Sequence, residues 1–273
     1  MTTAHDNWEL PISEAQLARL TRDMEDAHRS TLPAMRAGAV DLAAEVRDGG
    51  AGQHERPRDP GRRRFLAGAG GLAAALALAA CSSSDKDTSA SGTKGAGAPK
   101  PSASSLYTGD LKVVALATAL ENQAVGAYRA TLAAAKAGKL GTVPPAVATF
   151  VTTAMAQHSD HAKVWNAVLT GAGKPAVTGV PLTNQAATTA ALGKATSVGD
   201  VAKLALQLED QAAQTYVFAA GAVTSAGGIQ TAATIAPVEA MHAAILHYVL
   251  GQYPVPDDFL PTSKAASPAL LTV

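Results

Sequence analysis

Apolar residues recur with helical spacing along the chain after residue 108, in four long segments separated by glycine and proline. The link between the second and third segments, Gly171–Thr196, is roughly 26 residues long, which is unusual within a compact domain. A helix of about 25 residues is nearly 40 Å long, so such a link lets the chain return along a whole bundle. The pattern therefore predicts an all-α four-helix bundle with one long crossover between helices 2 and 3. The predicted helices are about Gly109–Ala137, Pro145–Gly171, Val198–Val223 and Gln230–Leu250.

Residues 1–60 show a weaker helical pattern. Ser13-Glu14-Ala15-Gln16 fits a capping box, but the apolar spacing breaks near Ser30–Pro33. Residues 48–61 are rich in glycine, proline and charge, as linkers are. Because the stretch is too short and too polar to form a core alone, we expect an N-terminal cytoplasmic extension, partly helical or disordered. An over-long start of the chain and a partner-binding helix are the alternatives.

Residues 61–81 have the order of an export signal. Basic residues at Arg62 and Arg63 precede a short apolar run, which is too short for a typical membrane-spanning helix. The order Arg-Arg-x-Phe-Leu resembles a twin-arginine signal. Leu-Ala-Ala-Cys, ending at Cys81, resembles a bacterial lipobox, whose cysteine is lipidated. We therefore expect twin-arginine export, with an uncleaved signal anchor as the alternative.

The segment after Cys81 resembles a tether. Residues 82–106 are rich in serine, glycine, lysine and proline, without apolar periodicity, and indicate a flexible linker. Several acyl chains on one cysteine would anchor the protein stably to a membrane. We therefore expect the folded domain to be exported and held at the outer face of the cytoplasmic membrane or cell envelope, with the twin-arginine export machinery as a partner.

Composition limits the kinds of partner and cross-link that we expect for this protein. The formal net charge is zero, so nothing favours nucleic acid. Cys81 is the only cysteine, which excludes an internal disulfide. Alanine contributes much of the apolar content, and it favours closely packed helices. A homodimer is left open.

An internal repeat places acidic and imidazole side chains at matching positions of the four helices. Leu116–Tyr128 repeats as Leu204–Tyr216, with Glu121 aligned to Glu209. His158-x-x-His161 aligns with Glu239-x-x-His242, and residues three apart share one helix face. A bundle built this way has a pseudo-twofold axis that brings the charged side chains toward one point in the core. The candidate metal ligands are Glu121, His158, His161, Glu209, Glu239 and His242.

This arrangement resembles the ferritin-like di-iron carboxylate superfamily, in which glutamates and Glu-x-x-His pairs hold two metal ions. The bacterial exported and desiccation-related members are similar, including a C-terminal pattern that begins at Leu250-Gly251. The resemblance covers about residues 108–260 and implies a ferritin-like domain at 107–260, followed by a tail at 261–273. It also implies that Tyr128 and Tyr216 hydrogen-bond the ligand carboxylates, and core tyrosines are the alternative.

His158 departs from the family pattern, which has glutamate there. Two divalent ions carry four positive charges, whereas Glu121, Glu209 and Glu239 bring three negative ones. A bridging hydroxide would supply the fourth, or the site holds a single metal. The resemblance implies Fe or Mn, and the additional imidazole makes Zn or Cu possible. Gln157 precedes His158, so no acidic residue there can orient a ligand histidine.

Three functions are compatible with the sequence. The first is an enzyme whose di-iron or di-manganese site reacts with oxygen or peroxide. The second is a non-enzymatic protein that binds a single metal in an envelope stress role. The third is a metal-free bundle that acts in interaction at the membrane. The sequence assigns no catalytic residue and no substrate.

Overall fold

The computed structural model describes residues 8–49, 106–256 and 260–273. This part of the chain is helical and has no β-strand, apart from an isolated bridge between Leu182 and Leu271. The all-α prediction is therefore confirmed. The helices are α1 (Glu14–Gly49), α2 (Asp110–Lys136), α3 (Pro145–Gly171), α4 (Gln185–Lys194), α5 (Val198–Ala222) and α6 (Ala226–Val249), followed by a 3-10 turn at Pro268–Leu270.

Helices α2, α3, α5 and α6 form the predicted four-helix bundle. Helix α2 packs mainly on α3, and α5 packs mainly on α6. The long crossover connects α3 to α5 and contains the short helix α4, which the sequence pattern did not predict. The crossover is fixed to α2 by the amide of Asn122, which donates to the carbonyls of Val177 and Gly179 at 2.9 Å each. Helix α6 passes through Pro237 without interruption.

Helix α1 covers most of the predicted N-terminal extension and corrects the expected break in its helical pattern. It is continuous across the break expected at Ser30–Pro33, and it packs against α3 and α6. Its inner face buries Leu17, Met24, Met35 and Leu42 completely. The stretch cannot form a core alone, but its apolar face completes the core of the bundle. Residues 14–49 therefore belong to the helical domain.

Glycine allows α1 to approach α6 closely. A β-carbon added at Gly38 would lie 2.7 Å from the carbonyl oxygen of Gly227 and 2.7 Å from Oγ1 of Thr231. Such distances are shorter than van der Waals contact, so neither helix tolerates a side chain at this crossing. The close approach is a specific helix–helix interface.

The C-terminal residues also pack on the bundle. The amide of Ala266 donates to Oγ1 of Thr215 on α5 at 2.8 Å, and Ala266 is buried. The amide of Thr183 in the crossover donates to the carbonyl of Leu270 at 2.9 Å. The predicted tail therefore covers α5 and the crossover.

The predicted signal, with Arg62, Arg63 and Cys81, lies outside the described residues, as does nearly all of the predicted linker at 82–106. A search of the described helices found none that combines the length and the apolar character needed to cross a membrane.

Candidate metal centre

The structure brings together all six residues that the repeat singled out. Each is at most 2% exposed, and they come from the four helices of the bundle. Since the helices run side by side, the matching positions of the repeat meet at one level of the core. The six are Glu121 on α2, His158 and His161 on α3, Glu209 on α5, and Glu239 and His242 on α6.

One half of the cluster is formed by Glu121, His158, His161 and Glu239, whose ligand atoms lie within 4.8 Å of one another. Nδ1 of His158 is 2.7 Å from Oε2 of Glu121. Nδ1 of His161 is 2.8 Å from Oε1 of Glu239 and 3.5 Å from Oε1 of Glu121. We call this group the His161 half.

The other half is formed by His158, Glu209, Glu239 and His242, within the same distance limit of 4.8 Å. Nε2 of His158 is 3.0 Å from Oε1 of Glu209. Nδ1 of His242 is 3.2 Å from Oε2 of Glu209 and 3.1 Å from Oε2 of Glu239. We call this group the His242 half. The two halves share His158 and Glu239.

Burial and mutual attraction set the charges of the metal-free cluster. Burial opposes a charge on His161, but the carboxylates of Glu121 and Glu239 outweigh it and raise the pKa of His161 to about 9. Burial also opposes ionisation of Glu121, but the neighbouring imidazoles prevail and lower its pKa to about 2. Burial likewise opposes ionisation of Glu209, but the imidazoles of His158 and His242 outweigh it and lower the pKa of Glu209 well below its ordinary value. Glu121 and Glu209 are therefore ionised at neutral pH.

Several cluster atoms lack the hydrogen bonds that burial normally demands. Both ring nitrogens of His161 and Oε1 of Glu239 are buried without a hydrogen-bond partner among the described residues. Nδ1 of His161 and Oε1 of Glu239 nevertheless lie 2.8 Å apart, in an orientation that does not make a hydrogen bond. Buried polar atoms without hydrogen-bond partners are rare, and nitrogen and oxygen atoms placed so close together are typical of ligands to one cation. The residues therefore fit a metal ion.

Both predicted tyrosines contact the cluster. The hydroxyl of Tyr216 donates to Oε1 of Glu121, and the hydroxyl of Tyr128 donates to Oε1 of Glu209. Burial and the adjacent carboxylates raise the pKa of both phenols well above the ordinary value, so each keeps its proton. Both contacts position the carboxylates, as the family resemblance implied.

Trp165 extends one of these contacts. Its indole Nε1–H donates to the hydroxyl of Tyr216 at 2.9 Å, and the two rings stack. Trp165 is not among the site residues predicted from the sequence. It lies seven residues after His158, as Tyr216 lies seven after Glu209, and this spacing of two helical turns was the available signal.

Gln157 orients a ligand histidine in place of the acidic residue that is missing at this position. Its Nε2 donates to Oε2 of Glu25 on α1 at 2.8 Å, so its amide oxygen faces Nε2 of His242 at 2.7 Å. An amide oxygen only accepts, so Nε2 of His242 carries the proton. Nδ1 of His242 is then left facing the carboxylates, as a metal ligand must.

Helix α1 also brings an unexpected histidine to the cluster. The ring of His28 packs edge-on against His161, with centroids 5.2 Å apart, and its Nε2 is 3.7 Å from Oδ2 of Asp160. Burial, aided by charge on His161, lowers the pKa of His28 to about 4. His28 is therefore neutral and packs against the His161 half.

Two narrow cavities approach the cluster along the seam between α2 and α5. One is lined by Leu120, Glu121, His158 and Leu208, among others. The second is further along the same seam, and its walls include Tyr128 and Glu209. Cavities in the seam therefore border both halves.

The comparisons with known proteins agree with this geometry. A family model described as the ferritin-like domain matches residues 108–252, which is more than half of the chain. Comparison with curated proteins and with solved structures gave no match. The matched residues include α2, α3, α5 and α6 and all six cluster residues. The chain belongs to the ferritin-like domain family.

Proposed function

We propose that this protein binds two divalent metal ions, one in each half of the cluster. The observation that supports this most strongly is the pair His161 and Glu239, whose buried donor atoms lie 2.8 Å apart and lack hydrogen-bond partners. Three buried carboxylates in one core are costly unless cations compensate them. Metal ions provide that compensation, and both halves offer oxygen and nitrogen donors.

The ligand set is compatible with Fe(II) or Mn(II), and its three imidazoles also suit Zn(II) or Cu(II). When bound, a redox-active pair would supply electrons to dioxygen or peroxide. Tyr128 and Tyr216 hold the carboxylates in place, and small cavities in the α2–α5 seam border both halves. The proposal therefore includes an oxidase or peroxide-reactive enzyme.

Elemental analysis of the purified full-length chain tests metal binding directly. We expect about two metal ions per chain, together with a rise in melting temperature when Fe(II), Mn(II) or Zn(II) is added. Glu239→Gln should abolish both effects, because Glu239 belongs to both halves. Glu45→Gln, at an exposed position of α1, is the matched control and should change neither.

A wild-type chain that contains no metal, and whose melting temperature no divalent ion changes, would contradict the proposal. The enzymatic part needs a further measurement, which is anaerobic loading with Fe(II) followed by an oxygen pulse. Oxygen consumption that depends on Glu239 supports an oxidase. Two bound ions without oxygen consumption support a non-enzymatic metal-binding protein.

A metal-free bundle is the second candidate, and one contact favours it. The ring of His158 lies between Glu121 and Glu209, at 2.7 and 3.0 Å, and an imidazolium there would pair with both carboxylates. The carboxylates raise the pKa of His158 well above its ordinary value, despite the opposing effect of burial. Such a protein would have an interaction or envelope stress role.

Export belongs to the proposal as well, on the strength of Arg62, Arg63 and the lipobox at Cys81. Cleavage before Cys81 would cut the chain between α1 and the other helices of the bundle. In the folded protein, however, α1 packs against α3 and α6. We propose that the twin-arginine machinery exports the folded protein and that α1 stays bound afterwards. The lipidated form should be found in the membrane fraction, and Cys81→Ser should move it to the soluble fraction.

A further inference from the structure

We propose that His158 is a bridging ligand, with Nδ1 bound to the metal of the His161 half and Nε2 bound to the metal of the His242 half. This inference rests on the proposed two-metal site. The imidazole is then shared between the ions, as the carboxylate of Glu239 is.

The distances assign one nitrogen to each half. Nδ1 of His158 is 2.7 Å from Oε2 of Glu121 and 3.6 Å from Oε1 of Glu239, both in the His161 half. Nε2 is 3.0 Å from Oε1 of Glu209, in the His242 half. A ligand that served one metal only would turn its second nitrogen to an outer partner. Here both nitrogens face ligand carboxylates.

Glu239 shows the same division. Its Oε1 is 2.8 Å from Nδ1 of His161, whereas its Oε2 is 3.1 Å from Nδ1 of His242. One residue from α3 and one from α6 thus each present two donor atoms, one to each half. The pseudo-twofold relation between the helix pairs accounts for this symmetry.

The other histidines do not share this arrangement. His242 has one nitrogen toward the carboxylates and the other toward Gln157 at 2.7 Å. His161 faces Glu121 and Glu239 with Nδ1, and its ring packs against His28. They are placed as ligands to a single metal, whereas His158 lies between the two halves.

A bridging imidazole also balances the charge of the two-metal site. An imidazole bound through both nitrogens gives its ring proton to water and carries one negative charge, with no change of oxidation state. Together with Glu121, Glu209 and Glu239, it brings four negative charges, which equal the four positive charges of two divalent ions. Charge neutrality is favourable in a site from which water is excluded. No additional hydroxide is then needed.

Copper is the most informative probe, since imidazole suits it and two Cu(II) ions that share a bridge are magnetically coupled. The full-length chain is loaded with Cu(II), counted by elemental analysis and examined by electron paramagnetic resonance. We expect two ions per wild-type chain and a coupled signal. His158→Gln should lose the coupling and at least half of the bound copper. His247→Gln is the control, because His247 is bonded to Gln252 away from the cluster, and it should behave as wild type.

His158→Glu restores a carboxylate with two donor atoms, and we expect it to bind two ions again. X-ray absorption on the wild-type copper and zinc forms gives a readout that needs no variant. Because an imidazole ring lies between the ions, their separation should exceed the roughly 3.5–4 Å of most two-metal sites.

The possible results distinguish a failure of the bridging role of His158 from a failure of the proposed metal binding. Two ions and unchanged coupling in His158→Gln would overturn the bridge and leave the two-metal proposal intact. A metal–metal separation within the usual range would also overturn the bridge. One ion per wild-type chain overturns the bridge and reduces the centre to a single-metal site. No bound ion in the wild type overturns the proposed function itself.

Discussion

Nε2 of His242 lies 2.7 Å from the amide oxygen of Gln157, so a side chain outside the cluster determines which ring nitrogen of the histidine faces the carboxylates. The amide is in turn oriented by Glu25 of α1. A helix that precedes the ferritin-like domain in sequence thereby helps to arrange the centre. This connection makes α1 relevant to metal binding as well as to stability.

We expect Gln157→Leu to weaken metal binding by about 10–100-fold, the usual effect of losing a residue that orients a ligand histidine. The variant keeps the volume of the side chain but cannot accept from His242. Zn(II) titration of the full-length chain measures the change. Gln230→Leu on α6 is a control, because its contact is with the carbonyl of Ala34 and lies outside the cluster. Equal affinities for wild type and Gln157→Leu would show that the contact does not orient the ligand.

The close contact between α1 and α6 predicts that one added methyl group lowers the stability of the protein strongly. Gly38→Ala should lower the free energy of unfolding by about 1–3 kcal/mol, since overpacking a close helix contact is destabilising. Gly49→Ala in the same helix has nothing within 4 Å of the added carbon and should be nearly neutral. Denaturant unfolding of both variants provides the test. If Gly38→Ala were as stable as Gly49→Ala, α1 would not be held against α6 in solution.

Trp165, Tyr216 and Glu121 form a hydrogen-bonded chain that ends at a candidate ligand. Tyr216→Phe leaves Glu121 without this donor, and we expect metal affinity to fall by about 10–100-fold. Trp165→Phe keeps a ring stacked on Tyr216 but removes the donor to its hydroxyl, so its effect should be smaller. Parallel Zn(II) titrations of the wild type and both variants measure which variant loses more affinity. A larger loss in Trp165→Phe than in Tyr216→Phe would contradict the chain.

The pKa shifts predict how the stability of the metal-free protein depends on pH. The pKa of His161 is raised from 6.5 to about 9, so its stabilising contribution is complete below pH 6.5 and is lost as the pH rises through 9. The pKa of Glu121 is lowered from 4.5 to about 2, so its contribution is present above pH 4.5 and is lost as the pH falls toward 2. The pKa of His28 is lowered from 6.5 to about 4, so stability also falls as the pH drops below 6.5, and it should be greatest near pH 6.5.

Denaturant unfolding of metal-free protein from pH 4 to pH 9 measures this profile. Saturating Zn(II) should remove the alkaline decline, because a metal-bound His161 is unprotonated throughout. A metal-free protein that becomes more stable between pH 6.5 and pH 9 would contradict the charge assignment of the cluster.

The sequence predicted the bundle because its signals are local. Helical spacing, glycine at the ends and the repeated Glu121 and Glu209 segments are visible in the chain itself. Because the four helices run side by side, matching positions in the repeat also predicted that the six cluster residues would meet. The family match over residues 108–252 rests on the same part of the chain.

The contribution of α1 could not be predicted in the same way. Its role depends on contacts between residues far apart in sequence, such as Glu25 with Gln157 and Gly38 with Gly227. A linker-like stretch and a predicted export signal separate it from the bundle, and they suggested two independent parts. The roles of Trp165 and Gln157 likewise depend on partners in other helices, which no spacing rule specifies.

Crystallography of the full-length chain soaked with Zn(II) or Mn(II), with anomalous scattering recorded at the metal edge, tests the central claim most directly. We predict two anomalous peaks, each at bonding distance of about 2.0–2.2 Å from donors of one half, with Glu239 next to both. Anomalous peaks elsewhere on the chain, with Glu239, His161 and His242 contacting only one another, would contradict the account.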